Sequence, residues 1–484
     1  MMEKVALLSL YRKEGSEELA QVLASYGYKL IATKGTASFL STKGLKVTSI
    51  QELTGVEEDK RVKTLHYEIF KGILSIPPQI RVVVVDLYPF LEAKEKNLSL
   101  EELTEFVDIG GVSLIRAAAK NYKYVTVIKS PKEYEEFIKE LKQNHGETSL
   151  SFREKKAASV FLFTSMYDLE IARNLFSLKN IWGVYGQKET QLKYGENPHQ
   201  KAVYYRLLNK EFKIKEHLGH ALSYNNLLDI HRGILFVQEF EEPACAIIKH
   251  TIPCGAATAK RIEDAFEMAY NADSISAYGG VAVINRPLNI KIAEFMRGKF
   301  FEVIASPLVD EGVFELMKKK KKLRVVTFEG EIPSFEMRSI LGGFLVQDRD
   351  MKKEEVREWR VMSKKKPSPE EERALLFAWK VVKHLKSNAV CITTENVTLG
   401  IGTGQPNRVD AVRMAVEKAK KYKGLKVLAS DGFFPFRDSI DVAAEEGITA
   451  VVEPGGSIRD EEVIKAADEH KIALLFTNTR HFLH

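Results

Sequence analysis

The sequence has little cysteine and no long apolar run. Its three cysteines, Cys245, Cys254 and Cys391, exclude a disulfide framework in 484 residues and favour a reducing compartment. No membrane-spanning segment is expected, and Met1 to Tyr11 does not resemble a signal peptide. The net charge is only +6, from 72 basic and 66 acidic side chains, which does not favour nucleic-acid binding. We therefore expect a cytoplasmic protein without a membrane or nucleic-acid partner.

The first part of the chain alternates short apolar runs with helical patterns. Val5 to Leu10, Lys29 to Thr33 and Arg81 to Asp86 are predicted strands, and the last is wholly apolar in its middle, as a central parallel strand should be. Helical patterns separate them, and a long helix is predicted from Ser151 to Phe176. This order predicts a doubly wound α/β domain over residues 1–185.

The remaining residues, 186–484, contain what resembles one unit written twice. Each copy begins with a buried strand, Ala244 to Ile248 or Ala389 to Thr393, and continues with a glycine-containing segment and further helices and strands. The order of the elements and the turn residues between them match in the two copies, whereas the residue identities do not. We therefore predict two similar α/β halves, at about 186–350 and 367–484.

Lys249 and His250 stand directly after the first of these buried strands. Sites in α/β folds are formed at strand ends. An imidazole can carry a proton in both directions near neutral pH, and an ammonium can stabilise a developing negative charge. The pair indicates transfer of a carbonyl-type group to a weak nucleophile, and Pro253 and Gly255 predict a turn after it.

Small, hydroxylated and basic residues follow several predicted strands of the first domain. Lys13 with Gly15, the segment Lys34-Gly35-Thr36, and the segment Arg61 to Thr64 have the groups that a phosphate needs. Asp108 precedes Gly110-Gly111 at a predicted helix start, where a cap is the simplest interpretation. Tyr88 suits packing as well as ligand contact.

The second region has dense polar turns and one aromatic segment. Lys193 to Gln200 and Ser223 to Asn226 are too polar for ordinary core, and Asn388 is placed to hold a substrate amide near His250. Arg408 follows a predicted loop, Gly400 to Gln405, and suits either a surface charge or a ligand contact. The segment Asp431 to Asp438 carries Phe433, Phe434 and Phe436, which suits a flat heterocycle. Zinc deaminases need a second cysteine after Pro253-Cys254, and none is present, so no metal site is predicted.

Several longer strings resemble one family over nearly the whole chain. The strings are Arg61-Val62-Lys63-Thr64-Leu65-His66, Leu87-Tyr88-Pro89-Phe90, Asp108-Ile109-Gly110-Gly111, Tyr194-Gly195-Glu196-Asn197-Pro198-His199-Gln200, Lys249-His250-Thr251 and Arg480-His481-Phe482. They are similar to the bifunctional purine biosynthesis proteins of the PurH type. That family joins phosphoribosylaminoimidazolecarboxamide (AICAR) formyltransferase to IMP cyclohydrolase.

The resemblance implies a methylglyoxal-synthase-like first domain and a transferase built from two cytidine-deaminase-like halves. It implies transfer of a formyl group from 10-formyltetrahydrofolate to AICAR, then ring closure of formyl-AICAR to IMP, in a homodimer. A bound K⁺ is left open. In the transferase, His250 moves the proton and Lys249 stabilises charge. The implied AICAR contacts are Lys193, Tyr194, Asn225, His250, Gly279, Glu302, Asn388, Arg408, Phe433 and Arg480, and the implied folate contacts are Asp438, Ser457 and Ile458.

In the cyclohydrolase, the resemblance implies catalytic roles for Lys63, Tyr88, Asp108 and Lys120. The implied nucleotide contacts are Lys13, Thr33, Lys34, Gly35, Thr36, Arg61, Lys63, Thr64, Asp108, Ile109 and Gly110. Asp108 and Lys120 are twelve residues apart, roughly 18 Å along a continuous helix. They can share one ligand only if that helix is short and the chain bends back.

The cyclohydrolase half departs from the family pattern at four places. Tyr11-Arg12 stands for Ser-Asp, Lys34 for Gly, Tyr67 for Pro and Asp86 for Asn, and Arg12 and Lys34 add cations that could replace lost loop contacts. Two alternatives to the two-step enzyme therefore stay open. One is a formyltransferase whose first domain only binds nucleotide, and the other is a nucleotide-sensing protein without catalysis.

Overall fold

The structure is a computed structural model that describes residues 4–57, 62, 64–176, 182–208, 212–318, 320 and 322–484. It divides into two compact units, Met1–Tyr185 and Gly186–His484. No helix in these described ranges is long and apolar enough to cross a membrane.

The first unit is built on a five-stranded parallel sheet with the order β3-β2-β1-β4-β5. Its strands are β1 Lys4–Leu10, β2 Tyr28–Ala32, β3 Val47–Ser49, β4 Ile80–Asp86 and β5 Thr126–Ile128. The helices are α1 Ser16–Ser25, α2 Lys34–Thr42, α3 Ile50–Thr54, α4 Tyr67–Leu74, α5 Phe90–Lys94, α6 Leu100–Thr104, α7 Gly110–Lys120, α8 Tyr134–Gln143 and α9 Leu150–Leu175.

Both faces of this sheet are covered, which explains the uninterrupted apolar run of β4. Val83 and Val85 pack in a core with α7, whereas Val82 and Val84 pack on the opposite face with α1 and α8. Alternate residues of a strand point to opposite faces, so a strand buried on both sides must be apolar throughout. The predicted doubly wound α/β fold is confirmed.

The second unit contains two six-stranded mixed sheets and two small hairpins. The strands are β6 Gly186–Gln191, β7 Val203–Leu207, β8 Lys213–Leu218, β9 Ala244–Lys249, β10 Ile252–Thr258, β11 Gly280–Ile284, β12 Phe301–Ser306, β13 Arg324–Glu329, β14 Phe335–Ile340, β15 Gly343–Asp348, β16 Arg360–Val361, β17 Val390–Thr393, β18 Thr398–Gly402, β19 Val427–Ser430, β20 Ala450–Glu453 and β21 Ala473–Phe476. The helices are α10 Tyr224–Val237, α11 Ile262–Ala272, α12 Ile290–Phe295, α13 Glu311–Met317, α14 Pro369–Val382, α15 Arg408–Ala419, α16 Asp438–Glu445 and α17 Asp460–Glu469.

The two large sheets have the same topology. Their orders are β10-β9-β11-β12-β13-β8 and β18-β17-β19-β20-β21-β16, with three parallel strands flanked by antiparallel ones in each. The predicted duplication is confirmed. The second sheet includes β16 at Arg360, so this half begins before residue 367, where the sequence analysis placed its start.

The halves meet along equivalent elements. One core contains residues of α10 and α14 together with the facing sides of both sheets. The edge strands β10 and β18 also touch, because Ala257 bridges Val397 and the Ala256 N–H donates to Thr398 Oγ1 at 3.0 Å. The second unit is therefore a layered sandwich whose two halves share one core.

Two predicted loops are strands. Pro253 and Gly255 lie within β10, an edge strand with a register shift, where a proline is tolerated because its missing N–H faces no partner strand. Gly400 and Gly402 lie in β18 instead of a loop. A Cβ on Gly402 would lie 1.8 Å from the Ala411 carbonyl oxygen, so this glycine lets α15 approach the strand.

Candidate active sites

The first candidate site lies at the carboxyl edge of the parallel sheet in the first unit. The strand order changes direction between β1 and β4, and the crevice at such a switch point is where open α/β sheets bind ligands. The loop after β1 carries Lys13, Thr33 follows β2, and Tyr88 follows β4. Adjacent parallel strands therefore bring these predicted residues to one edge.

A group of polar side chains surrounds the start of α2. Lys13 Nζ donates to Thr36 Oγ1 at 3.1 Å and to the Leu10 carbonyl, and the Thr33 and Thr36 hydroxyls are 3.2 Å apart. Thr33 is the residue before the helix, and Lys34, Gly35 and Thr36 form its first turn. An ammonium beside a helix N-terminus, with its unpaired N–H groups, is an arrangement that suits an anion.

The sequence allowed Arg12 to serve as an added cation for the ligand. In the structure its charge is instead paired with carboxylates of the protein. Its guanidinium donates to both carboxylate oxygens of Asp86, at 3.1 and 3.0 Å, and also bonds Glu92 at 3.2 Å. The Asp86 hydrogen bond raises the pKa of Arg12. The departures at residues 12 and 86 thus form one ion pair, which ties the loop after β1 to the end of β4.

Asp108 caps α7 and also holds the loop of Tyr88. One carboxylate oxygen accepts from the Gly111 N–H at 2.7 Å and the other from the Tyr88 N–H at 3.3 Å. The sequence analysis missed Tyr167 on α9, whose hydroxyl oxygen accepts from the Asp108 N–H at 2.8 Å. Burial raises the pKa of Tyr167 to about 12, so it is a neutral positioning group.

Thr64 is placed beside the start of α7. Its hydroxyl is buried and has no hydrogen-bond partner among the described residues. A Cβ on Gly110 would lie 2.7 Å from Thr64 Oγ1, so this glycine leaves room for the hydroxyl. Thr64, Gly110 and the neighbouring Ile109 therefore lie close together, and their contact with the nucleotide stays a prediction. The predicted residues Arg61 and Lys63 lie outside the described residues.

Lys120 does not join this group. Helix α7 runs without interruption from Gly110 to Lys120, so Asp108 and Lys120 lie at opposite ends, roughly 18 Å apart at 1.5 Å per residue. Lys120 is exposed there. The two residues therefore lie at opposite ends of α7, and the catalytic role of Lys120 stays a prediction that this spacing does not support.

The second candidate site is built around the hairpin of β9 and β10. Lys249 pairs with Ile252, so His250 and Thr251 form a two-residue turn, and both have positive φ, 55° and 66°. Such a turn matches the twist of the strands and projects its side chains beyond the sheet. His250 is exposed at this tip, whereas Lys249 is partly buried at the strand end.

Lys249 contacts the segment before β11. Its Nζ donates to the Tyr278 carbonyl at 2.7 Å, and the next residue, Gly279, has φ 72° and donates its N–H to the Phe300 carbonyl at 2.8 Å. An ammonium has three N–H donors, so this one bond leaves capacity for a substrate oxygen. The structure therefore places Lys249 and Gly279 side by side.

Helix α10 connects the remaining predicted residues of this half. Asn226 donates to Glu302 Oε2 at 2.9 Å, and Asn225 donates to the Glu196 carbonyl at 3.3 Å. The loop that contains Glu196 also contains Lys193, whose Nζ lies 5.6 Å from the ring centre of Tyr194. The start of α10 thus links the loop of Lys193 and Tyr194 to Glu302.

A second cluster lies in the other half, around Arg408. This side chain is buried and not a surface charge: it donates to Ser430 Oγ at 2.9 Å, to Asn388 Oδ1 at 2.7 Å and to the carboxylate of Asp431. Asn388 donates in turn to the Gln405 carbonyl at 2.8 Å. The Asn388 amide thus holds Arg408 in this structure, and its contact with a substrate amide near His250 stays a prediction.

Aromatic and loop residues complete this second cluster. The guanidinium of Arg480 lies 4.6 Å from the ring centre of Phe482, and the His481 N–H donates to the Asp431 carbonyl at 3.0 Å. Phe433 is exposed in the loop after β19, while Ser457 donates its N–H to Asp460 and Ile458 is fully exposed. Asp438 begins α16. Asp438 follows β19, and Ser457 and Ile458 follow β20, so the predicted folate residues lie at the same edge of the second sheet.

Glu453 is a residue of this cluster that the sequence analysis missed. It ends β20 fully buried, and one oxygen accepts from the Phe434 N–H at 2.7 Å while the other has no partner among the described residues. Burial raises its pKa to about 8. No pattern in the sequence marks it, because a glutamate at a strand end is normally exposed.

The described residues contain no group of three or more His, Cys, Asp or Glu side chains that could hold a metal ion. Cys254 Sγ contacts the Ile247 carbonyl at 3.4 Å, and burial raises the pKa of this thiol to about 12. Metal-binding cysteines are thiolates, so Cys254 is a packing residue.

Comparison with known proteins gives the same family over the whole chain. A family model described as the AICARFT/IMPCHase bienzyme matches residues 118–418, and one described as an MGS-like domain matches residues 15–113. The bifunctional purine biosynthesis protein PurH of Aquifex aeolicus is 42% identical over 99% of this chain and 100% of the relative. PurH of Thermoanaerobacter sp. is 42% identical over all of both chains. The chain therefore belongs to the AICARFT/IMPCHase bienzyme family, that of the bifunctional PurH proteins.

Proposed function

We propose that this chain catalyses the last two steps of IMP synthesis. The second unit transfers a formyl group from 10-formyltetrahydrofolate to AICAR, and the first unit closes formyl-AICAR to IMP with loss of water. The observation that carries the proposal is the hairpin tip, where an imidazole and an ammonium are adjacent and the ammonium contacts the segment of Gly279. The family relatives, which carry both activities in their name, support it.

For formyl transfer, a weak amine must attack a carbonyl carbon. His250 accepts the proton that the amine of AICAR loses as its nitrogen bonds the formyl carbon, and returns it to the folate nitrogen as that C–N bond breaks. Lys249 stabilises the negative charge on the formyl oxygen. Lys193, Tyr194, Asn225, Gly279 and Glu302 hold the nucleotide from the first half, and Asn388, Arg408, Phe433 and Arg480 from the second.

For ring closure, orientation is the main requirement. The carboxamide nitrogen must be held against the formyl carbon before water leaves, which fixed contacts to both groups achieve. We propose that Lys13 and residues 33–36 bind the phosphate, and that Thr64, Tyr88, Asp108, Ile109 and Gly110 hold the reacting part. Arg61 and Lys63 remain proposed contacts, and Lys120 is left out because of its distance.

The alternative is a first unit that binds nucleotide without catalysis. Purified protein mixed with formyl-AICAR should form IMP well above the spontaneous rate, measured by absorbance. No acceleration would favour the transferase-only alternative. The Arg12–Asp86 pair supports the bifunctional assignment. The two substituted residues neutralise each other in an ion pair instead of leaving two unpaired charges at the crevice.

Lys13→Met should raise the KM for formyl-AICAR about 10- to 150-fold, since one charge-assisted hydrogen bond to a phosphate is worth about 1.5–3 kcal/mol. The cyclisation assay at varied substrate concentration measures it. Lys43→Met, at the exposed far end of α2, is the matched control and should leave KM unchanged. An unchanged KM in Lys13→Met would remove the phosphate assignment.

We propose a homodimer with the transferase site at its interface, which brings the first-half cluster and the Arg408 cluster together. The β14–β15 hairpin supports this. It exposes Met337, Leu341, Phe344 and Leu345, and a two-stranded hairpin is at best marginally stable alone in water. A second copy that packs on this apolar surface would stabilise it.

Leu345→Lys should therefore shift the protein from dimer to monomer at micromolar concentration, because it places a charge in an apolar contact. Sedimentation velocity measures the change, and formyl transfer should fall with it. Leu100→Lys, on the exposed face of α6, is the control. A wild-type monomer with full transferase activity would contradict the dimer.

The proposed co-substrate and compartment follow from the same assignment. We propose a cytoplasmic enzyme, supported by three cysteines that are all unpaired. For K⁺, the buried carboxylate Asp431 is the natural place in the Arg408 cluster, but it is already neutralised by Arg408 and accepts from Ser387 and from the Ala389 N–H. A bound K⁺ therefore stays a prediction, and the proposed chemistry uses none.

A further inference from the structure

The turn that carries His250 has an unfavourable backbone. Both His250 and Thr251 have positive φ, and left-handed conformations cost non-glycine residues roughly 1–2 kcal/mol each. Thr251 is β-branched, which makes this conformation more costly still. Something outside the turn must therefore stabilise it, since turns of this kind are normally made by Asn and Gly.

That support comes from Asp229 on the neighbouring helix α10. Its Oδ1 accepts from the Thr251 N–H at 2.6 Å, and the neighbouring backbone N–H of His250 also lowers the pKa of this carboxyl. The carboxylate thus bonds the second residue of the turn directly and acts electrostatically on the first. Charge-assisted hydrogen bonds of this type are about twice as strong as neutral ones.

The environment of Asp229 makes it more than a surface cap. Burial raises its pKa, with a contribution from Glu302, whereas the two backbone N–H donors act in the opposite direction. The same helix places Asn225 one turn earlier and Asn226 against Glu302. Helix α10 therefore fixes the turn relative to the predicted nucleotide contacts.

We infer that Asp229 is the positioning residue for His250: its carboxylate holds the His250–Thr251 turn in the left-handed conformation that aims the imidazole at the amine of the nucleotide. The inference rests on the proposed formyl transfer. Asp229 touches neither substrate, and it acts only through the backbone of the turn. A small displacement of a catalytic group can cost about 10²-fold in rate.

The test uses the full-length protein and a rescue. Asp229→Ala should lower kcat for formyl transfer by about 10- to 100-fold, with a smaller change in the KM for AICAR. Thr251→Gly, measured alone as the reference, gives a residue that adopts positive φ at no cost. In Asp229→Ala/Thr251→Gly, the loss relative to Thr251→Gly should be several-fold smaller than the loss in Asp229→Ala relative to wild type.

Three results would separate the possibilities. A kcat in Asp229→Ala within about threefold of wild type overturns the inference. An equal loss with and without Thr251→Gly also overturns it, because support of the turn then is not what Asp229 provides. His250→Ala in the same assays tests the proposed function separately from the role of Asp229. If His250→Ala retains activity, the proposed function of the site fails, whatever Asp229 does.

Discussion

Replacing His250 by alanine should lower the rate of formyl transfer by about 10²–10⁴-fold, the usual contribution of a general acid–base group. The side chain is exposed at the hairpin tip, so its removal should leave no buried cavity and little change in stability. The loss should appear in kcat, because the proton is moved in the transition state and not on binding. Steady-state kinetics with AICAR and 10-formyltetrahydrofolate measure it.

Two comparisons make this result specific. Cyclisation of formyl-AICAR by the same preparation should be unchanged, because we assign it to the other unit. His470→Ala removes an exposed imidazole that bonds Asp441 in the second half, and it should transfer formyl groups at the wild-type rate. Unchanged turnover in His250→Ala would refute the catalytic assignment and revive the interpretation of the chain as a non-catalytic nucleotide sensor.

Replacing Glu453 by glutamine should stabilise the protein, and increasingly so as the pH rises. Burial raises the pKa of Glu453 to about 8 from an ordinary value near 4.5, so the folded protein keeps a proton that the unfolded chain releases. The contribution of Glu453 to the unfolding free energy therefore falls as the pH rises from about 4.5 to about 8, and this contribution is constant above about pH 8. The loss amounts to roughly 3 kcal/mol by pH 7.

Glutamine has the same shape and no charge, so the variant escapes this loss. Thermal unfolding of both proteins at pH 5 and pH 8 should show similar midpoints at pH 5 and a higher midpoint for Glu453→Gln at pH 8. Glu445→Gln, at the exposed end of α16, should show no such divergence. A pH-independent difference between Glu453→Gln and wild type would mean that the Glu453 carboxyl titrates normally.

The fold was predictable because its signals are local and repeated. The apolar run of β4 and the alternation of elements identify a covered parallel sheet, and the matching order of elements identifies the duplication. A strand was predicted as a loop where a glycine is compatible with either element. Gly400 and Gly402 suggest a loop in the sequence, but they allow a helix to approach a strand, which is a tertiary cause.

The sites were predictable where a motif places several groups together and not where a partner is remote. Lys249, His250 and the residues around Lys13 were identified from adjacent positions in the sequence. Asp229 is 22 residues from Thr251 in the chain, and Tyr167 is 59 residues from Asp108. Such supporting residues carry no local pattern, because the fold alone brings them to the residues they position.

The symmetry of the second unit offers two equivalent positions, and only one of them carries reactive groups. In the first half the β9–β10 connection presents Lys249 and His250, whereas the matching β17–β18 connection contains Thr394, Glu395, Asn396 and Val397. In the proposed function, the first half thus carries the proton transfer, whereas the second half contributes nucleotide contacts around Arg408. The two halves can differ in this way because a shared core keeps both of them folded. The β17–β18 connection is therefore also a suitable place to introduce a second lysine–histidine pair.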